Sequence, residues 1–149
     1  MTVGKNELTV GQEISAVLVD GLTRTQIVQY AGASGDYNPL HSDEMFARDV
    51  AGYPGVFAHG MLTMGITGRL LTDNFGVGSV QRYGVRFVKQ VWPGDTLTAV
   101  ATVTAIAGEL VDLDIVTSNQ HNEPVVTGSA TVRAQAHSLS DAEQATATT

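Results

Sequence analysis

Three side chains, a carboxylate, an amide and an imidazole, lie close together in the seven-residue segment GDYNPLH, at residues 35–41. They are Asp36, Asn38 and His41. The glycine and the Asn-Pro pair disfavour both helix and strand, so we predict a fixed loop. A carboxylate and a neutral imidazole on one loop could share a water molecule, with His41 accepting its proton and Asp36 exchanging a proton with a substrate. The alternative is that both side chains only stabilise the turn.

A second candidate is Gly60, in the segment FAHGML directly before a run of apolar residues. If a helix begins here, its free N–H groups and the positive end of its dipole can stabilise a developing oxyanion. The alternative is that His59 and Gly60 only form the turn into the helix. A metal site made of Asp36, His41 and His59 is disfavoured, because the sequence lacks the short ligand spacings of such sites. We therefore predict no metal.

The elements that must position these residues are helices followed by strands. The segment TRTQ at residues 23–26 predicts a capping box at the start of a helix, and Ser42 predicts the cap of a second, short helix. The apolar stretch Met61–Leu71 lacks a clear polar face over most of its length and so predicts a helix that is buried rather than lying on a surface. After Ser79 the sequence alternates with period two through four segments, which predicts a four-stranded antiparallel meander. A strand at residues 14–19 can join this sheet, so we predict an α+β fold.

Basic residues cluster near the start of the alternating region. Arg82, Arg86 and Lys89 fall within one predicted strand, and Arg69 lies at the end of the preceding helix. Alternation places Arg82 and Arg86 on one face and Lys89 on the other. These four residues are candidates for binding a phosphate of a substrate carrier. An ordinary solvated strand face is the alternative.

Composition limits the possible functions. The chain has 149 residues, which suit a single domain; we place it at residues 1–136, followed by a disordered polar tail at residues 137–149. A formal net charge of −7 argues against nucleic acid as a partner, and the absence of cysteine excludes disulfides and thiolate chemistry. No apolar run has membrane-spanning length and the N-terminus is not signal-like, so we predict a cytoplasmic protein without a membrane partner.

Two motifs carry a family resemblance. The segments YAGASGDYNPLHSDEMFA and FAHGMLTMGI resemble the MaoC-like (R)-specific enoyl hydratases and dehydratases, and among these most closely a subunit of the hydroxyacyl-ACP dehydratases. The resemblance implies the hot-dog fold, in which an antiparallel sheet wraps around a long central helix. It also implies that Asp36 and His41 form a catalytic dyad. Asn38 would support their loop, and the backbone N–H of Gly60 would form the oxyanion hole.

The same resemblance implies an activity, the reversible hydration of trans-2-enoyl thioesters to (R)-3-hydroxyacyl thioesters in fatty-acid or related acyl metabolism. The substrate would be carried as a coenzyme A or acyl carrier protein thioester, and no metal or redox cofactor is implied. A homodimer, or a heterodimer with a related hot-dog subunit, is expected. Two alternatives stay open: a hot-dog acyl thioesterase, and a non-catalytic subunit of a heteromeric dehydratase.

Overall fold

The computed structural model describes residues 8–134 of the chain. The tail predicted at residues 137–149 lies outside this range. Within it, helices and helical turns come between the first strand and the four others. The elements are β1 (Glu13–Val19), α1 (Arg24–Ser34), a 3₁₀ turn (Pro39–His41), a π-helical turn (Phe46–Val50), α2 (Gly60–Phe75), β2 (Val80–Phe87), β3 (Leu97–Ala107), β4 (Leu110–Ser118) and β5 (Pro124–Arg133).

The five strands form one antiparallel sheet in the order β1-β3-β4-β5-β2. With α2 packed against it, this sheet confirms the predicted α+β hot-dog architecture. The predicted four-stranded meander is wrong in one respect, because β2 pairs with β5 and not with β3. Alternation identifies which segments are strands, whereas pairing depends on where the connections run. Residues 88–96 lead from β2, at one edge, to β3 on the far side of β4 and β5.

Helix α1 begins as predicted. The hydroxyl of Thr23 accepts a hydrogen bond from the Gln26 N–H at 3.1 Å, and the Gln26 side-chain oxygen accepts one from the Thr23 N–H at 2.8 Å. The second, short helix also forms, as the turn Phe46–Val50. The predicted cap, Ser42, is wrong by one residue, because Asp43 Oδ1 accepts the hydrogen bond from the Phe46 N–H at 3.0 Å.

Helix α2 packs on one face of the sheet and contacts β1, β2, β3 and β5. Its buried side chains are Thr63, Thr67, Leu70, Leu71 and Phe75. The prediction that this helix is buried rather than lying on a surface holds for the side that faces the sheet, whereas one stripe of residues spaced four apart is exposed in the single chain. The stripe consists of Met61, Gly65, Arg69 and Asp73. None of the described helices is long and apolar enough to cross a membrane.

Two glycines of α2 allow aromatic rings from β2 to approach the helix. A Cβ at Gly68 would stand 3.3 Å from the Tyr83 ring, and a Cβ at Gly60 would stand 3.0 Å from the Phe87 ring. The Tyr83 hydroxyl also donates to the carbonyl oxygen of Met64 at 2.9 Å, and burial raises the pKa of Tyr83 to about 12. These contacts hold the edge strand β2 against the helix and so set the surroundings of Gly60.

Candidate active site

The loop that carries Asp36 and His41 is held by hydrogen bonds between neighbouring residues. Helix α1 ends at Gly35, whose left-handed backbone (φ 74°) turns the chain into the loop. Asp36 Oδ1 then accepts from the Asn38 N–H at 3.2 Å, and Asn38 Oδ1 accepts from the Leu40 N–H at 3.0 Å. Asn38 thereby caps the 3₁₀ turn that ends at His41. These are the contacts expected of the loop-supporting residue that the sequence indicated.

The His41 ring offers one nitrogen to the site. Its Nδ1 lies 2.7 Å from the carbonyl oxygen of Phe57. Because a carbonyl oxygen only accepts, Nδ1 carries the proton of the neutral ring and Nε2 keeps a lone pair. The pKa of His41 is lowered, mainly because the ring is partly buried and to a smaller extent because His59 is adjacent. The hydrogen bond to Phe57 and the Asp36 carboxylate raise the pKa but do not cancel the lowering. The net lowering favours the neutral ring, which is the form that can accept a proton.

Asp36 and His41 come together in space. A carboxylate oxygen of Asp36 and one ring nitrogen each of His41 and His59 all lie within 4.8 Å of one another. A single water molecule can bridge such a distance, since two hydrogen bonds of about 2.8 Å each reach farther. The Asp36 side chain is exposed in the single chain, while His41 is partly buried. The geometry thus permits the shared water that the residue types predicted.

The same three residues form the group that could hold a metal ion within the described part of the chain. The rings of His41 and His59 are stacked, with centroids 3.8 Å apart and planes inclined by 27°. Imidazole lone pairs lie in the ring planes, so stacking confines the lone pairs of the two rings to two separate, nearly parallel planes. Zinc coordination needs lone pairs that converge on one point about 2.0–2.1 Å from each nitrogen. The arrangement therefore suits proton transfer better than metal binding.

Gly60 is the first residue of α2, and His59 is the N-cap. Among residues 8–134 the Gly60 N–H has no hydrogen-bond acceptor, as is usual for the first N–H groups of a helix. The free N–H and the positive end of the helix dipole together favour a negatively charged oxygen at this point. The side chain of Phe87 covers Gly60 on one side. This is the environment that the predicted oxyanion hole requires.

A cavity of about 270 Å³ adjoins Gly60. Its wall is mostly apolar, and Lys89 is the charged residue in it. Neither Asp36 nor His41 belongs to the wall, but Phe57 does, and its carbonyl oxygen is hydrogen-bonded to His41. The residues of the wall are Phe57, Ala58, Gly60, Thr63, Phe87, Val88, Lys89, Gln90, Val91 and Val126.

Two of the predicted carrier-binding residues, Arg82 and Arg86, lie on β2 and share a face, as expected. They pair with Thr131 and Thr127 of β5 and are exposed. Tyr83, which directly follows Arg82, points to the opposite face, where its hydroxyl donates a hydrogen bond to α2. Because side chains alternate along a strand, the two arginines lie on the face of the sheet away from α2 and Gly60.

The other two, Lys89 and Arg69, contact groups of the chain itself. Lys89 lies two residues beyond the end of β2, so its assignment to that strand is wrong. Its Nζ lies 2.6 Å from Glu123 Oε1. Arg69 donates to the carbonyl oxygen of Leu18 at 3.3 Å and lies 3.7 Å from an Asp73 oxygen. Of the four basic residues, Lys89 is the one in the wall of the cavity beside Gly60.

His59 has contacts that the sequence analysis missed. We considered it a turn residue or a metal ligand, but its ring is buried, stacks on His41 and has Nε2 within 3.0 Å of the Asp36 carbonyl oxygen. The sequence offered one indication that His59 belongs to the site, namely its position directly before Gly60. Both contacts join residues far apart in sequence, which no local pattern reports.

Comparison with known proteins identifies the family of this chain. The sequence profile of the family described as "MaoC like domain" matches residues 5–133. The chain therefore belongs to the MaoC-like domain family, and the predicted family resemblance is confirmed.

Related proteins share part of this chain. The 3-hydroxyacyl-thioester dehydratase Y of Mycobacterium tuberculosis is 41% identical over 85 residues, covering 55% of this chain and 29% of that protein. The peroxisomal multifunctional enzyme type 2 of Mus musculus is 42% identical over 85 residues, covering 55% of this chain and 11% of the mouse protein. The chain thus spans less than a third of the length of these relatives.

Solved structures match over nearly the whole chain. The R-hydratase PhaJ1 from Pseudomonas aeruginosa, in its unliganded form, has a TM-score of 0.81 and 26% identity, covering 91% of this chain and 88% of that one. The (R)-hydratase from A. caviae, described as involved in PHA biosynthesis, has a TM-score of 0.76 and 30% identity, covering 85% and 97%.

Proposed function

We propose that the chain catalyses the reversible hydration of trans-2-enoyl thioesters to (R)-3-hydroxyacyl thioesters. The observation that carries this proposal is the cluster of the Asp36 carboxylate with the rings of His41 and His59, directly before Gly60, whose N–H is free at the start of α2. The names of the relatives support it, because two matched structures are R-hydratases and one matched protein is a 3-hydroxyacyl-thioester dehydratase.

The proposed mechanism uses only groups of this chain. A water held between Asp36 and His41 attacks the β carbon of the enoyl thioester, and His41 Nε2 takes one proton from that water. Negative charge develops on the thioester oxygen, where the Gly60 N–H stabilises it. The proton that His41 took from the water passes to the Asp36 carboxylate and from there to the α carbon, so one water is added across the double bond and both side chains return to their starting forms. In dehydration the roles reverse. Every step is an addition or a proton transfer, and we propose that no metal or redox cofactor takes part.

The partner in this proposal is a second hot-dog chain. Strand β2 is at the edge of the sheet, and an exposed edge strand is a template for pairing with another strand. Apolar side chains are exposed beside this edge, with Phe87 48% and Val88 50% accessible. We propose a homodimer or a heterodimer with a related subunit, formed along β2. The cytoplasmic location stays a prediction from the sequence.

The proposal is tested with the purified chain alone. We expect it to remove the ultraviolet absorbance of a conjugated enoyl-CoA and to form the (R)-3-hydroxyacyl product, identified by chiral chromatography. Release of free thiol is measured in the same reaction, and light scattering gives the molar mass of the sample. Thiol release without hydration would favour a thioesterase. A folded dimer that does neither would favour a non-catalytic subunit.

The carrier contact can be tested with two matched substitutions. We propose that Lys89, in the wall of the cavity beside Gly60, meets a phosphate of the coenzyme A or acyl carrier protein arm. Lys89→Gln should raise KM for an enoyl-CoA about two- to fivefold, the usual strength of an exposed charge contact. The value of kcat should change little, because this contact is equal in the ground and transition states. Added salt should reduce the effect.

Arg86→Gln is the control for Lys89→Gln, because it removes the same charge on the face of the sheet away from Gly60. We expect it to leave KM unchanged. An N-acetylcysteamine thioester, which lacks phosphate, should not distinguish Lys89→Gln from the unchanged protein. A larger increase in KM for Arg86→Gln than for Lys89→Gln would contradict this proposal. It would mean that the carrier binds on the face of the sheet away from α2, which carries Arg82 and Arg86.

A further inference from the structure

His59 occupies the N-cap position of α2 without capping the helix. Its side chain makes no cap hydrogen bond, although N-cap side chains commonly accept one. The ring is 1% exposed and is held on two sides, by the stacked ring of His41 and by the edge of the Tyr30 ring, whose centroid is 4.9 Å away. The imidazole is thus directed into the site rather than toward the helix end.

The hydrogen bond of His59 defines its tautomer. Nε2 lies 3.0 Å from the carbonyl oxygen of Asp36, which only accepts, so Nε2 carries the proton. Nδ1 is then left as an acceptor, and it is buried without a hydrogen-bond partner among the described residues. An unpaired buried acceptor is unfavourable, so its retention beside a catalytic site calls for an explanation.

We propose that His59 is a positioning residue that fixes His41 and Asp36 relative to Gly60. The proposal rests on the hydration function given above. His59 stacks on the His41 ring, bonds to the main chain of Asp36 and is covalently joined to Gly60. The base, the acid and the oxyanion donor are therefore held as one unit. A misplacement of about 1 Å among such groups can lower a rate about 10²-fold.

The stack also affects the acidity of His41. The titratable groups that face His41 are His59 and Asp36, and Tyr30 of α1 faces His59 from the other side. Burial lowers the pKa of His41 and the adjacent His59 lowers it further. Loss of the His59 ring should therefore raise the pKa of His41. Protonated His41 cannot accept a proton from water, so the acid limb of the hydration rate should move to higher pH.

Two substitutions separate the two contacts of His59. His59→Gln keeps an N–H for the Asp36 carbonyl and removes the ring, whereas His59→Phe keeps a ring beside His41 and removes the N–H. We expect each to lower kcat about 10- to 100-fold with little change in KM. Both should raise the pKa of His41, because each removes the charge interaction with His59, and His59→Gln should raise it more, because it also lessens the burial of the His41 ring. Tyr30→Phe, which keeps the ring at the other side of His59, should match the unchanged protein.

The pKa of His41 is measured by NMR titration of histidine-labelled protein, which needs no turnover. If the unchanged chain hydrates no enoyl thioester, the proposed function fails, while the His41 titration still tests its coupling to His59. The positioning role would be overturned by two results together. The pKa of His41 would be the same in His59→Gln as in the unchanged protein, and kcat of both folded His59 variants would stay near that of the unchanged protein. Circular dichroism and thermal melting show whether His59→Gln and His59→Phe fold. If one of them does not fold, the other is used to test the positioning role.

Discussion

Asp36→Asn and His41→Asn are each expected to lower kcat for enoyl-thioester hydration about 10²- to 10⁴-fold, because each removes one proton-transfer group. Both substitutions keep the local hydrogen bonds. In Asp36→Asn the new amide oxygen can still accept from the Asn38 N–H, and in His41→Asn the new amide N–H can still donate to the Phe57 carbonyl. The loop should therefore remain folded, and the loss reports chemistry. The measurement is steady-state hydration of an enoyl-CoA.

The double variant provides a sharper test of the shared water. If Asp36 and His41 act on one water molecule, the double variant should be only slightly slower than the slower single variant, since groups that work as a unit are not additive. Asp43→Asn and His121→Asn are matched controls at exposed positions and should keep normal turnover. Near-normal turnover of either folded dyad variant would remove that residue from the mechanism.

Gly60→Pro is expected to lower kcat about 10²- to 10³-fold, the usual effect of losing one oxyanion-hole donor. Proline removes the N–H and nothing else that the helix uses, because Gly60 is the first residue of α2 and proline is well tolerated there. The preceding residue, His59, has φ −57° and ψ 136°, a conformation compatible with a following proline. The substitution therefore targets the proposed donor directly.

Gly60→Ala is the matched control. It keeps the N–H but brings a Cβ to about the same place as proline does, 3.0 Å from the Phe87 ring. Adding Phe87→Leu to both variants relieves this crowding. We expect the alanine variant to recover with Phe87→Leu and the proline variant to stay slow. If Gly60→Ala and Gly60→Pro had equal rates when each is combined with Phe87→Leu, crowding rather than the missing N–H would account for the lower kcat.

The sequence by itself determined the elements whose causes are local. The capping box of Thr23 and Gln26 joins residues three apart, and the turn at Asn38 joins residues two apart, so residue types alone predict them. Alternation likewise identified the strands, most clearly β3 and β4, which bury every second side chain over most of their length. The motif around Asp36 and His41 identified the family for the same reason, since its chemistry lies within one loop.

Only the tertiary structure decided how distant segments meet. Three features depend on packing that no local pattern encodes. They are the place of β2 beside β5, the exposed stripe on α2 and the pairing of Lys89 with Glu123. The site shows this most clearly. The His41 tautomer is set by a carbonyl 16 residues away, and His59 reaches the Asp36 carbonyl across 23 residues. Such contacts exist because the fold brings these segments together, so the sequence could indicate Asp36 and His41 but not the contacts that His59 makes with both of them.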